Sequence, residues 1–127
     1  MQGRRRDRRP FLGRLGEAWV CLFLIAHGYR VVARNLRTPV AEVDVVARRG
    51  RHLVLCEVKT RRGPGDVVVS RAQRERLRRA ARWLLPRYAP RGGSLRLDLA
   101  LVRVRRWWFP TLTYYRAALG DDEIAPY

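Results

Sequence analysis

From Phe11 to His27 apolar residues recur at helical spacing: Leu15, Ala18, Trp19, Leu22, Ile25 and Ala26. Val20, Phe23 and Leu24 fill the other faces, so this helix is expected to be well buried or shared with a partner chain, with Gly28 as its stop. Three runs rich in Val and Leu follow, Tyr29–Leu36, Glu42–Arg49 and His52–Thr60, and they read as strands bounded by Thr38-Pro39 and Gly50. Arg61–Asp66 reads as a loop. The period returns to helical over Ser70–Leu85, where Leu77, Ala80, Ala81, Leu84 and Leu85 share a face, Arg71, Arg74, Arg78 and Arg82 share another, and Pro86 is the expected stop. Leu95–Val104 predicts a fourth strand and Phe109–Ala117 a candidate fifth. Short links between the first three strands predict an antiparallel meander. The second helix is a crossover that returns the fourth strand parallel to the third. The pattern is an α/β domain with a mixed sheet, in the order αβββαβ.

Length and composition sharpen this picture. With 127 residues, 47% of them hydrophobic, the chain predicts one folded domain over 11–120, a flexible basic arm over 1–10 and an acidic tail over 121–127. Its longest apolar run, Ala18–Ala26, has nine residues against the roughly 20 that a membrane-spanning helix needs. Asp7-Arg8-Arg9-Pro10 has the look of a twin-arginine export signal, but Glu17 interrupts the apolar stretch and no small-residue cleavage site follows. The expected location is the cytoplasm, with Cys21 and Cys56 as reduced, packed thiols. Two cysteines make neither a disulfide scaffold nor a four-ligand zinc site.

A net charge of +17 points to a polyanionic partner. Of the 28 basic residues all are arginine except Lys59. Lysine offers what arginine does not, a compact rotatable charge whose pKa can be lowered.

The second and third strands concentrate the acids. Glu42 and Asp44 share one face of the second strand, and Glu57 and Lys59 share one face of the third. A two-residue type II′ turn at Gly50-Arg51 makes paired residue numbers sum to 101, which sets Asp44 opposite Glu57 and Glu42 opposite Lys59. Opposed side chains have Cβ atoms about 4.5–5.5 Å apart. Two carboxylates at that spacing call for a proton, a cationic neighbour or a metal ion. Oxygen donors with open water positions suit Mg²⁺ or Mn²⁺. The plain alternative is a surface-facing acidic pair neutralised by arginines.

Asp44 followed by Glu57-Val58-Lys59 resembles the D…E-x-K signature of the PD-(D/E)XK nuclease superfamily. The likeness extends through Gly13–Ala18, Gly28-Tyr29, Arg34-Asn35-Leu36, Glu42–Val46, Val54–Arg61, Ala80-Ala81 and Arg96–Asp98. Together these are similar to the YraN-like family of predicted endonucleases, related in fold to archaeal Holliday junction resolvases. The resemblance covers roughly residues 11–104 and implies a restriction-endonuclease-like mixed sheet flanked by helices. It also implies a metal held by Asp44, Glu57 and the Val58 carbonyl, with Lys59 serving the attacking water and Glu17 approaching from the first helix. Two positions depart from the pattern: Ala41 stands where glycine is usual, and Gln73 where the second helix often begins with lysine. Gln73 either completes a capping box with Ser70 or faces the site.

The expected function is a Mg²⁺- or Mn²⁺-dependent endonuclease that hydrolyses DNA, with branched or repair intermediates as candidate substrates. The alternative is a nucleic-acid-binding module on a nuclease-like fold. Arg61 and Arg62, just past the acidic segment, and the stripe Arg71, Arg74, Arg78 are candidate phosphate contacts. The expected partner is a nucleic acid, with DNA preferred to RNA and no membrane, and the first helix with Trp107-Trp108 is a candidate homodimer contact. Asp98, among apolar strand residues, calls for an arginine ion pair. His27 and His52 have no zinc-ligand spacing and read as structural.

Overall fold

Helix α1 (Arg9–Ala26) ends in a Schellman arrangement around Gly28, which adopts φ +88°. Gly28 N donates to Ile25 O at 3.0 Å and Tyr29 N to Leu24 O at 2.9 Å, which closes the helix and turns the chain into β1. The structure, a computed structural model, describes residues 9–63, 69–88, 92–106 and 109–117. Most of the basic arm, the Trp107-Trp108 pair and the acidic tail lie outside the described residues. Arg9 and Pro10, expected in the arm, belong to α1.

Five strands form one sheet in the order β1 (Arg30–Arg37), β2 (Glu42–Arg49), β3 (His52–Arg62), β4 (Ser94–Arg106) and β5 (Phe109–Tyr115). All neighbours are antiparallel except β3 and β4, which run parallel because α2 (Arg71–Tyr88) carries the chain across between them. The expected fifth strand is present and pairs with β4. The β2–β3 register follows the sum of 101 from Arg49↔His52 to Val45↔Cys56. Gly50 has φ +61° while Arg51 does not share the left-handed conformation, as a type II′ turn requires.

The sheet is covered on both faces, so β3 is buried without alternation from Leu53 to Glu57. On one face Val20, Cys21 and Leu24 of α1 pack with Val45, Ala47, Val54, Cys56, Ala100 and Val102. On the other, Leu77, Ala80, Ala81 and Leu84 of α2 pack with Val46, Leu53, Leu55, Leu95 and Leu97. Helix α1 is not buried all round. Leu15, Trp19, Leu22 and Ile25 are 37% to 60% exposed, because a helix laid on one side of a sheet hides only one of its own sides.

Two boundaries differ from the sequence reading. Arg61 and Arg62 are strand, held by the parallel ladder to Arg103 and Val104, so the expected loop begins later. Pro86 lies inside α2 rather than stopping it. Proline removes one intrahelical bond, to the carbonyl of Arg82 on the exposed side; one residue on, Arg87 Nη1 donates to Trp83 O at 2.6 Å and its guanidinium stacks over the Trp83 ring.

Candidate active site

The β2–β3 ladder stops at Val45↔Cys56, and what replaces it is chemical. Asp44 Oδ2 accepts the backbone N–H of Val58 at 2.8 Å, so a carboxylate takes up a donor on the acidic stretch of β3. Burial raises the Asp44 carboxyl most, the Glu57 charge raises it further, and it is pushed up to about 7. Glu57 is 9% exposed.

Glu57 Oε2 is held twice. Lys59 Nζ lies 3.3 Å from it, and Gln73 Nε2 of α2 donates to it at 2.9 Å. Only half of the capping box therefore forms. Gln73 N donates to Ser70 Oγ at 3.1 Å, while the amide turns to Glu57 instead of back to Ser70. Asp44 Oδ1 and Glu57 Oε1 have no partner among the described residues. Each acid is thus fixed through one oxygen and open through the other. A cavity of about 290 Å³ lies over them, lined by Ala41, Glu42, Asp44, Glu57, Gln73, Arg76 and Leu77. Arg76 escaped the sequence reading, although its three-residue offset from Gln73 puts it on the same side of α2. Glu42 lines this cavity but does not sit opposite Lys59 in the ladder; it pairs with Arg37 of β1, because the β2–β3 pairing has already opened.

Glu17 is 9% exposed on α1, and Asn35 and Arg34 hold it. Asn35 Nδ2 donates to Glu17 Oε1 at 3.0 Å, and Arg34 Nη2 lies 3.5 Å from the same oxygen. The Glu17 charge reaches Asp44, where it adds to the upward push. Among the described residues no three acids, histidines or cysteines come together closely enough to hold a metal, so Asp44 and Glu57 are a pair that Glu17 approaches without joining. Helix α1 comes near the sheet at Gly16, where a Cβ would run into Thr60 Oγ1. The pair itself fits a hard divalent cation: two facing carboxylates, each with an oxygen that has no protein partner, in a site where burial penalises uncompensated charge.

Arg61 and Arg62 continue β3 two and three residues past Lys59, both exposed. Arg61 Nη1 donates to Thr60 O at 2.9 Å. Arg71 and Arg74 are exposed on α2, whereas Arg78 is half-buried and 3.7 Å from Glu75 Oε1. Asp98 is fully buried and bonded twice to Arg96. His27 Nδ1 bonds Phe23 O at 2.8 Å, and His52 Nδ1 bonds Ser94 Oγ at 2.7 Å. Cys21 and Cys56 are free, buried thiols, both raised chiefly by burial.

The family described as "Uncharacterised protein family UPF0102" matches residues 16–102. A UPF0102 protein of Parvibaculum lavamentivorans is 47% identical over 100 residues, covering 76% of this chain and 74% of the relative. One from Streptomyces griseus is 42% identical over 113 residues, covering 85% and 95%. Among solved structures, that of Hjc from Archaeoglobus fulgidus, a Holliday junction resolvase from an archaeal hyperthermophile, is similar with a TM-score of 0.56 and 22% identity. The match covers 83% of this chain and 72% of that one. It shows a restriction-endonuclease-like fold for this chain. No helix among the described residues is long and apolar enough to cross a membrane.

Proposed function

The chain belongs to the family UPF0102, and on that premise we propose that it is a divalent-metal-dependent endonuclease that hydrolyses phosphodiester bonds in DNA. One observation carries the reading: the Asp44–Glu57 pair, with each carboxylate fixed through one oxygen and open through the other. Similarity to a Holliday junction resolvase supports a nuclease role, with branched DNA as the first substrate to try. When bound, Mg²⁺ or Mn²⁺ would stabilise charge on the phosphoryl oxygen and acidify water. Asp44, Glu57 and the Val58 carbonyl would hold the cation. Lys59, fixed beside Glu57, orients the attacking water, and Arg61, Arg62, Arg71 and Arg74 contact phosphates as the DNA lies across the site. Arg78 is a weaker candidate than its neighbours because Glu75 already engages it.

The test is cleavage of linear, single-stranded and branched DNA with Mn²⁺, Mg²⁺ or EDTA. Metal-dependent cutting lost in Lys59→Ala and Glu57→Gln is expected. Binding without cutting under every metal overturns hydrolysis and favours a second reading, a DNA-binding module on a nuclease-like fold. The observation behind that alternative is that Glu17 stands apart from the acid pair, on Asn35 and Arg34. The homodimer contact is assigned to the outward face of α1, around Trp19, Leu22 and Ile25. A monomer in light scattering at high concentration overturns that assignment.

A further inference from the structure

Another cavity lies on the α1 face of the sheet, away from the acid pair. Its volume is about 210 Å³, and it sits where α1 ends, β2 ends and β4 begins. Phe23, Tyr29 and Tyr114 give it ring walls, and Arg49, Arg96 and Arg116 give it three guanidinium groups. Arg96 alternates with Leu95 and Leu97, which pack under α2, so it points to the α1 face. The nuclease reading uses none of these residues.

Two of the arginines have structural tasks. Arg96 grips Asp98 through Nε and Nη2, both at 2.8 Å, and its Nη2 lies 3.4 Å from the Tyr29 hydroxyl. Arg49 Nη1 donates to His27 O at 3.0 Å, just past the end of α1, and its guanidinium lies 5.1 Å from the centroid of the Tyr29 ring. These contacts fix both guanidiniums in place and leave donors over. Nη1 of Arg96, and Nε and Nη2 of Arg49, have no hydrogen-bond partner among the described residues. Arg116 has no partner at all among them. An ion pair and a helix cap account for the first two arginines and not for a third cation beside them.

Charge decides what the cavity takes. None of the described residues that line it is acidic. Asp98, fully buried and bonded to Arg96, is the carboxylate that answers this group. Three guanidiniums against one carboxylate and the α1 C-terminus, worth about half a negative charge, leave roughly one and a half positive charges. A phosphate monoester carries about −1.5 to −2 at pH 7. Its oxygens match the forked N–H groups that arginine presents. The volume is below the roughly 300 Å³ at which pockets for drug-sized ligands begin, so the cavity admits a phosphate with the first part of what carries it, and not a duplex.

We propose that this cavity binds a phosphate monoester, with its oxygens on Arg49, Arg96 and Arg116 and its organic part against the ring walls. A free mononucleotide and the 5′-terminal phosphate of a nucleic-acid strand both carry that group. The site stands whether or not the acid pair cuts DNA.

Calorimetric titration in EDTA keeps the acid pair free of metal and out of the readout. The probes are inorganic phosphate, a nucleoside 5′-monophosphate and the same nucleoside without phosphate. The monophosphate is expected to bind, inorganic phosphate to compete with it, and the nucleoside not to bind. Arg116→Gln breaks no contact among the described residues, so it is expected to melt with the wild type. It is expected to weaken binding of the monophosphate about tenfold or more, the loss of one charge-assisted hydrogen bond. Because the whole chain is basic, two variants of equal net charge locate the binding: Arg49→Gln/Arg116→Gln at the cavity, and Arg79→Gln/Arg82→Gln at exposed positions of α2. Only the first is expected to lose affinity. Equal loss in both makes the binding diffuse and overturns the site. So does wild-type affinity in Arg116→Gln, or a monophosphate that does not bind. An oligonucleotide with a 5′-phosphate is then compared with the same strand ending in a 5′-hydroxyl. Tighter binding of the first, lost in Arg116→Gln, assigns the site to strand ends, and equal binding assigns it to the free mononucleotide.

Discussion

Two buried acidic sites sit almost side by side in this sheet and are solved in opposite ways. Asp98 of β4 pairs in register with Cys56, one residue before Glu57, and faces α1 while Glu57 faces α2. Asp98 is closed. Arg96 grips it at 2.8 Å through Nε and 2.8 Å through Nη2, the Tyr114 hydroxyl donates at 2.5 Å, and the Ala117 amide donates at 2.8 Å. Burial pushes the Tyr114 phenol up, so it stays a donor. The Asp44–Glu57 site is open: two acids face each other, one backbone amide, one lysine and one glutamine answer them, and an oxygen on each has no protein partner. Burial is common to both sites. What separates them is how completely the fold answers each charge: fully at Asp98, and through one oxygen of each acid at Asp44 and Glu57.

The contrast breaks most sharply at Asp98. Asp98→Ala leaves the Arg96 guanidinium without its counter-ion and is expected to cost about 3–5 kcal/mol in urea denaturation, with any loss of activity following loss of fold. Loss of DNA cleavage in a variant of normal stability would break the division between the two sites.

Asp44 is expected to behave in the opposite sense. Its folded carboxyl, raised to about 7 against an ordinary 3.8, holds a proton that the unfolded chain releases. Metal-free protein is then favoured most by this group below about pH 4. That stability is lost as the pH rises through about 7, with a slope of at most about 1.4 kcal/mol per pH unit. Asp44→Asn in EDTA removes this part of the pH dependence and matches or exceeds wild-type stability at pH 8. Mn²⁺ restores the wild type at pH 8 and not the variant. Parallel pH profiles for the two proteins would show that the pair is not electrostatically strained.

Gly16→Ala probes the α1 side. The new Cβ runs into Thr60 Oγ1, α1 must shift, and the expected cost is about 1–3 kcal/mol in the melting transition. A variant of wild-type stability would show that the close approach of α1 is incidental.

The smallest effect separates the two roles of the α2 start. Ser70→Ala removes a cap and costs about 1 kcal/mol without changing Mn²⁺ affinity. Gln73→Ala keeps the cap, because Ser70 Oγ accepts from the backbone, and shifts Mn²⁺ affinity instead. The reverse pattern would make Gln73 a capping residue only.

Much of the fold was legible because it rests on local rules. Gly28 ends α1, and Gly50 sets the hairpin register as far as Val45↔Cys56. The expected opposition of Asp44 and Glu57 lies beyond that last pair, and the two acids meet instead at the wall of one cavity. The arginine pair of Asp98 followed from the cost of a buried charge. What escaped depends on contacts distant in sequence. The hold of Asn35 on Glu17 joins residues 18 apart through a left-handed backbone that no spacing announces. The Gln73 amide chose between two partners of similar reach, and only the placement of α2 over β3 decides for Glu57. Opposition of Glu42 and Lys59 was extrapolated along a ladder that a carboxylate interrupts. Pro86 survives in α2 because the bond it deletes belongs to the exposed last turns.

The irregular β1 has one more consequence, for how copies of this chain meet. As an edge strand it presents backbone groups that a neighbouring molecule's strand can pair with. The register shifts between Val31 and Ala33, Asn35 turns left-handed, and Arg30, Arg34 and Arg37 stand exposed along the strand. The other edge, β5, includes Pro110, which has no amide to give. Neither margin offers a flat, regular template, and the arginines repel a second copy of themselves. Brought together at high concentration, copies of this chain are hindered from pairing edge to edge.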